Sequence, residues 1–150
     1  NQLIDLATKE GIAHTAEQLG ATGIQVLRKV YVHVNSEPEI VERNRGSAAA
    51  FIALYREVVS GRLGLLTEAS RAHLHELLGL CHSHSRFNAR FPRSVTLFHK
   101  TGSTSDSSGD AGYYFLDDDH AVIMAGIQDF RAFMPLQTLG WTILQQFMPR

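Results

Sequence analysis

A cation, a hydroxyl and a position without a side chain follow one another at Lys100, Thr101 and Gly102, and Ser103 comes next. They close the apolar run Ser94-Val95-Thr96-Leu97, which puts them at one end of a strand. A lysine held there supplies a fixed positive charge for a substrate carboxylate and raises the acidity of nearby hydroxyls in a proton relay. Thr101 offers its hydroxyl to the same anion. Gly102 has no side chain, so a substrate amide can lie along the strand edge as an added strand. The backbone N–H of Ser103 can serve as one donor to a tetrahedral oxyanion. An ordinary strand end running into a Gly-Ser turn has the same residues.

The other reactive side chains form weaker patterns. His73 and His75 are two apart on a helix and face different ways, which is poor metal geometry. Cys81-His82-Ser83-His84 lies in a helix-ending loop. A second cysteine or a carboxylate at ligand spacing is missing, so no metal site is expected. His99 alternates with Lys100 and is expected to point away from it. No Gly-x-Ser-x-Gly turn exists to seat a Ser/His/Asp triad.

The elements that must position these residues change period along the chain. Leu3, Ile4, Leu6 and Ala7 predict a helix over Gln2–Lys9 that ends near Gly11. Thr15-Ala-Glu-Gln18 fits a capping box that opens a short helix, with Gly20 and Gly23 ending it. Val30, Val32 and Val34 alternate as in an extended stretch, and the charged Ser36–Gly46 segment reads as a surface loop. Ser47 caps a helix to about Val59, with Ala50, Phe51, Leu54 and Val58 inward. Thr67 caps Glu68–Leu80, whose buried stripe is expected to be Leu74, Leu77, Leu78 and Cys81. Three short strands follow, Ser94–Lys100, Ala111–Leu116 and Ala121–Ile127, with a hairpin turn at Asp117-Asp118-Asp119. A last helix, Leu136–Phe147, carries Leu139, Ile143, Leu144 and Phe147 with Trp141 on a flank. Helices, then antiparallel strands, then a covering helix make an α+β fold.

Composition sets outer bounds. The 150 residues have the size of one domain, and 44% hydrophobic content is enough for a packed core. A net charge of −1 gives no electrostatic case for a nucleic acid or an anionic membrane as partner. No apolar stretch approaches the roughly 20 residues needed to span a bilayer. One cysteine excludes an internal disulfide framework.

Lys100-Thr101-Gly102 resembles the third signature element of the penicillin-recognising serine hydrolases, the class A β-lactamases and related penicillin-binding proteins. The order of elements is similar to the second half of their fold, and Asn1-Gln2-Leu3-Ile4 resembles the family helix that follows the second element, Ser-Asp-Asn. Neither Ser-x-x-Lys nor Ser-x-Asn occurs in the chain. The resemblance therefore implies that residues 1–150 are the C-terminal part of a single β-lactamase-like domain, with the nucleophilic serine in an upstream half. The activity it implies is acyl transfer on an amide or ester, without metal or organic cofactor. The implied substrate is a small molecule with a carboxylate or acyl group. The implied protein partner is the N-terminal half or a swapped copy, and the implied location is bacterial, periplasmic or secreted. Lys100, Thr101, Gly102 and Ser103 would bind substrate, with Lys100 and Ser103 also serving catalysis. Lys100, Thr101 and Ser103 would line one cleft.

Two departures from the family pattern bear on turnover. Ser36-Glu37-Pro38-Glu39-Ile40 resembles the omega-loop Glu-Pro-Glu-Leu, which makes Glu37 the candidate deacylation base, with Glu39 and Glu42 behind it. Val41 stands where the family has Asn, and only nine residues separate Glu37 from Ser47. The family's carboxylate-binding arginine on the fourth strand has no match in Tyr113–Leu116, and Arg131 is too far along to replace it. The alternatives are a catalytically weak or inactive binding module of the same fold, or a related esterase or D,D-peptidase.

Overall fold

Threonine and serine hydroxyls open three of the described helices. The computed structural model describes residues 2–27, 43–132 and 134–148. Glu37, Glu39, Glu42 and the alternating valines lie outside the described residues. The chain divides into two compact units, residues 1–54 and 55–150.

In the first unit, α1 (Gln2–Ala7) and α2 (Lys9–Gln18) are separated only by Thr8. Thr8, not Thr15, caps α2: its hydroxyl accepts the N–H of Gly11 at 3.0 Å. Thr15 lies inside the helix and donates to the Gly11 carbonyl, so the expected capping box does not form. An uninterrupted helical ladder from Lys9 outcompetes that local alternative. Gly20 ends the helix with φ 68°, a left-handed conformation that glycine adopts at no steric cost. Ala16, Ala21 and Ala50 form a small core, with Leu19, Ile24 and Ala53 against it. Ala50 comes from α3 (Ala48–Ser60), whose N-cap is Ser47 as its position predicts.

In the second unit, the end of α3 leads into a loop built on a carboxylate. Glu57 is 2% exposed and accepts the N–H groups of Leu63 (2.9 Å) and Leu65 (3.0 Å). Gly61 and Gly64 take φ of 58° and 68°, which turns the loop back over it. The N–H of Leu63, with those of Leu65 and Leu66 and the charge of Arg71, holds the Glu57 carboxyl below the ordinary carboxylate range. A lowered folded-state pKa means stability that is present above the unfolded value of about 4.3 and is lost as pH falls through the folded value. Glu57→Gln retains one acceptor oxygen for two N–H groups and should melt several degrees lower at neutral pH. The gap should narrow in acid; a gap that stays constant down to about pH 3 would show that the charge contributes nothing.

Thr67 caps α4 (Glu68–Gly79), accepting from Ser70 N–H at 3.1 Å. The buried stripe differs from the expected one: Leu77 is 50% exposed, and His75 faces the sheet instead. His75 stacks on Phe98 with ring centroids 3.8 Å apart, and its Nδ1 is 2.8 Å from the Tyr113 hydroxyl. Burial pushes the Tyr113 phenol up to about 12, so its hydroxyl stays protonated beside the imidazole. His73, two residues earlier, lies in solvent near Glu76.

The antiparallel sheet has the order β1-β2-β3, with β1 Phe98–Ser103, β2 Ser107–Phe115 and β3 Ala121–Asp129. The strand boundaries move from their expected places, with β1 running on to Ser103 and β3 to Asp129. β2 begins at Ser107 because a tight turn at Thr104–Ser107 replaces a loop: Thr104 N–H donates to the Ser107 carbonyl, and its hydroxyl accepts from Asp106 and Ser107. β1 begins at Phe98, since Val95 N–H donates to Pro92 in a preceding turn. The Asp117–His120 turn closes the second hairpin as expected, with the Asp117 carboxylate accepting from Asp119 and His120.

A short 3-10 turn, Phe87–Arg90, and the final helix α5 (Met134–Phe147) cover the sheet face opposite α4. Phe87, Leu97, Tyr114, Met124, Leu136 and Leu144 form the core there. The stripe of α5 is Leu136, Gly140 and Leu144; the expected Leu139 and Phe147 are 43% and 48% exposed. Glycine explains the rotation. A side chain at residue 140 would collide with the Phe87 backbone, so the face carrying Gly140 is the one that can approach closely.

Candidate functional site

β1 is an edge strand in the described sheet, with β2 on one side only. Thr104 and Ser107 form a hydrogen-bonded pair, and the register runs from Ser103↔Ser108 to Phe98↔Tyr113. In an antiparallel ladder alternate residues bond the same neighbour. Lys100 and Gly102 therefore bond β2 through their backbones, while the backbone groups of Thr101 and Ser103 point to the unpaired edge. The Ser103 N–H thus faces the side on which a substrate can add. Gly102 leaves open space, with nothing within 4 Å of where its Cβ would be.

Side chains alternate across the same strand. Lys100 projects on the face of Phe98 and Tyr113, is exposed, and donates to the Thr101 carbonyl at 2.6 Å. Thr101 and Ser103 project on the other face, with His99. The three side chains thus do not leave the strand from one face; they meet only around its edge and end. Glu37 lies outside the described residues.

The face below Ser103 holds a second cation. Arg86, half-buried just before the 3-10 turn, donates through Nη1 to the carbonyls of Gly102 (2.9 Å) and Gly109, and through Nη2 to Ser103 Oγ at 2.6 Å. Gly102 and Gly109 are directly paired across β1 and β2. The planar fork of a guanidinium suits such multiple contacts better than a lysine ammonium does. Beneath it, His99 and Asp110 are buried together, with Nδ1 2.8 Å from Oδ1 and no solvent exposure of either side chain. The strand end thus carries Lys100 on one face, the Arg86 guanidinium and the Ser103 hydroxyl on the other, and an outward N–H at its edge, groups that can hold an anion.

The family model for the β-lactamase enzyme family matches residues 1–131. The chain belongs to that family. Solved structures agree on the fold. A β-lactamase from Sphaerobacter thermophilus DSM 20745 is 18% identical with a TM-score of 0.81, over 100% of this chain and 58% of that one. The TLA-3 extended-spectrum β-lactamase is 13% identical with a TM-score of 0.80, over 98% and 58%. PBP-A is 18% identical with a TM-score of 0.75, over 96% and 53%. The chain thus spans a little over half the length of these structures. No curated protein matches it in sequence.

Arg86 is not among the site residues expected from the sequence: Tyr113–Leu116 carries no arginine, and this guanidinium arrives from a loop 16 residues before Gly102. Nothing local marks Arg86 among its neighbours Ser85 and Phe87. The Cys81–His84 loop lies at the other side of the same 3-10 turn, where His84 Nδ1 is 3.1 Å from the Asn88 amide. Among the described residues, no group of three His, Cys, Asp or Glu side chains is arranged to hold a metal ion.

Proposed function

We propose that this chain carries the substrate-anion and oxyanion side of a serine acyl-transfer site. The supporting observation is the unpaired β1 edge: it presents the Ser103 N–H outward, between Lys100 and the Arg86 guanidinium on Ser103 Oγ. In this reading Lys100, Thr101 and Arg86 hold the carboxylate of a β-lactam or acyl-peptide substrate. The Ser103 N–H donates to the oxyanion as a serine outside residues 1–150 attacks the carbonyl. Lys100 also eases proton transfer to the leaving nitrogen. An N-terminal half of the same protein, or a swapped copy, supplies that serine and covers the exposed apolar groups of the second unit, Ile127 among them. The proposed location is bacterial, periplasmic or secreted. Among the described residues no helix is long and apolar enough to cross a membrane.

Turnover is the weak step. Val41 in place of Asn, four residues after Glu37, leaves the hydrolytic water without an amide to fix it. Misplacement by about 1 Å can cost on the order of a hundredfold in rate. The complete protein should therefore form a long-lived adduct with a penicillin, visible by intact mass and mapping to a serine outside these residues. Residues 1–150 alone should form none. Rapid release that collapses in Glu37→Gln would instead make the protein a working β-lactamase with Glu37 as base. Absence of any adduct would favour the binding module.

A further inference from the structure

We propose that the buried His99–Asp110 pair is a positioning device that holds Arg86 in place for the substrate's carboxylate; this rests on the reading of Arg86 and Lys100 as the anion site. Asp110 uses both oxygens. Oδ1 takes the His99 Nδ1–H at 2.8 Å, and Oδ2 takes the Phe87 N–H at 3.3 Å. Phe87 directly follows Arg86, so the carboxylate ties down the peptide from which the guanidinium reaches over β1 and β2. His99 directly precedes Lys100. The pair therefore joins, through one buried contact, the three segments that carry Arg86, Lys100 and β2.

The imidazole is itself held at both ends. Its Nε2 lies 3.4 Å from Asn88 Nδ2, and its Nδ1 faces the Asp110 carboxylate, which can only accept, so a ring proton sits on Nδ1. Removing such a pair from water costs free energy that apolar residues of similar volume would not incur, so its presence argues for specifying geometry. The geometry at stake is that of the half-buried guanidinium, whose three contacts are to Gly102, Gly109 and Ser103. A peptide released from Asp110 would let it swing off Ser103. His99 and Asp110 do not touch the reacting atoms in this scheme.

The test compares acylation of the complete protein by a penicillin and by its methyl ester, which lacks the negative charge. The wild type should prefer the acid, and Asp110→Asn, with one acceptor oxygen for two donors, should lower that preference about tenfold, as expected for a misaligned charge-assisted hydrogen bond. His99→Gln retains an N–H donor and should restore most of the preference that His99→Phe loses. General destabilisation lowers both rates together and leaves the ratio alone. The Arg86 guanidinium N–H resonances, assigned by their loss in Arg86→Lys, give a readout that needs no acylation. They should shift or broaden in Asp110→Asn and in His99→Phe but not in His99→Gln. If the wild type is not acylated, the acyl-transfer reading fails and these resonances alone decide the positioning role. If Asp110→Asn does not fold, the two His99 variants carry the same comparison. An unchanged acid-to-ester ratio, or unchanged Arg86 resonances, in folded Asp110→Asn or His99→Phe overturns the proposal.

Discussion

Replacing Lys100 with Ala should lower acylation of the complete protein by a carboxylate-bearing β-lactam at least about a hundredfold, while the melting temperature stays within about a degree. The rate effect follows from removing a preorganised charge beside the developing anion, where loss of one such group typically costs a factor on the order of 100 to 1,000. The stability effect is small because the side chain is exposed and its described hydrogen bond is to the adjacent Thr101 carbonyl. Little packed surface is lost with it. Acylation kinetics by stopped-flow or mass, paired with a thermal melt, separate the two. Acylation within about twofold of wild type would remove Lys100 from the site. A large fall in melting temperature would make its role structural.

Gly140→Ala should produce the opposite balance, with a loss of stability that also disturbs the site. The added Cβ would fall 2.7 Å from Phe87 Cα and 2.8 Å from its carbonyl carbon, and closer still to the oxygen. These are backbone atoms, so no rotamer change relieves the overlap. Overpacking of this kind costs about 1–3 kcal/mol or more. For a chain of this size each kcal/mol lowers the melting temperature by about 4 °C. The 3-10 turn that must move begins one residue after Arg86, so the guanidinium should move off Ser103 as well. Melting and the acid-to-ester preference should therefore fall together. A wild-type melting temperature would show that α5 does not pack on the Phe87 backbone as described.

What could be read from the residues was what is contiguous. Lys100-Thr101-Gly102 sets a cation, a hydroxyl and a bare backbone position side by side at one strand end, and three letters suffice to read that. The helix starts at Ser47 and Thr67 were legible for the same reason: a cap and the N–H it accepts lie three residues apart. The α+β order followed from the change of hydrophobic period near Ser94. His99 pointing away from Lys100 followed from strand alternation alone, although not what it would meet there.

Tertiary structure decided everything that depends on distant segments meeting. Thr15 satisfied a cap pattern, yet the helix had already begun at Lys9, and a continuous ladder prevailed over the local signal. On α4 the aromatic face of β1 and β2 took up His75, which stacks on Phe98, and left Leu77 exposed. On α5 the expected stripe is only partly the buried one: Leu144 is buried and Ile143 packs against the same core, whereas Leu139 and Phe147 do not. The Phe87 backbone demanded a position without a side chain, and that rotated Leu139 and Phe147 outward. The second cation of the site belongs to the same class of fact. Arg86 is 14 residues from Lys100 and 24 from Asp110 in the chain. Only the packing of the 3-10 turn between sheet and α5 sets it on Ser103, above a buried pair that no local pattern connects to it.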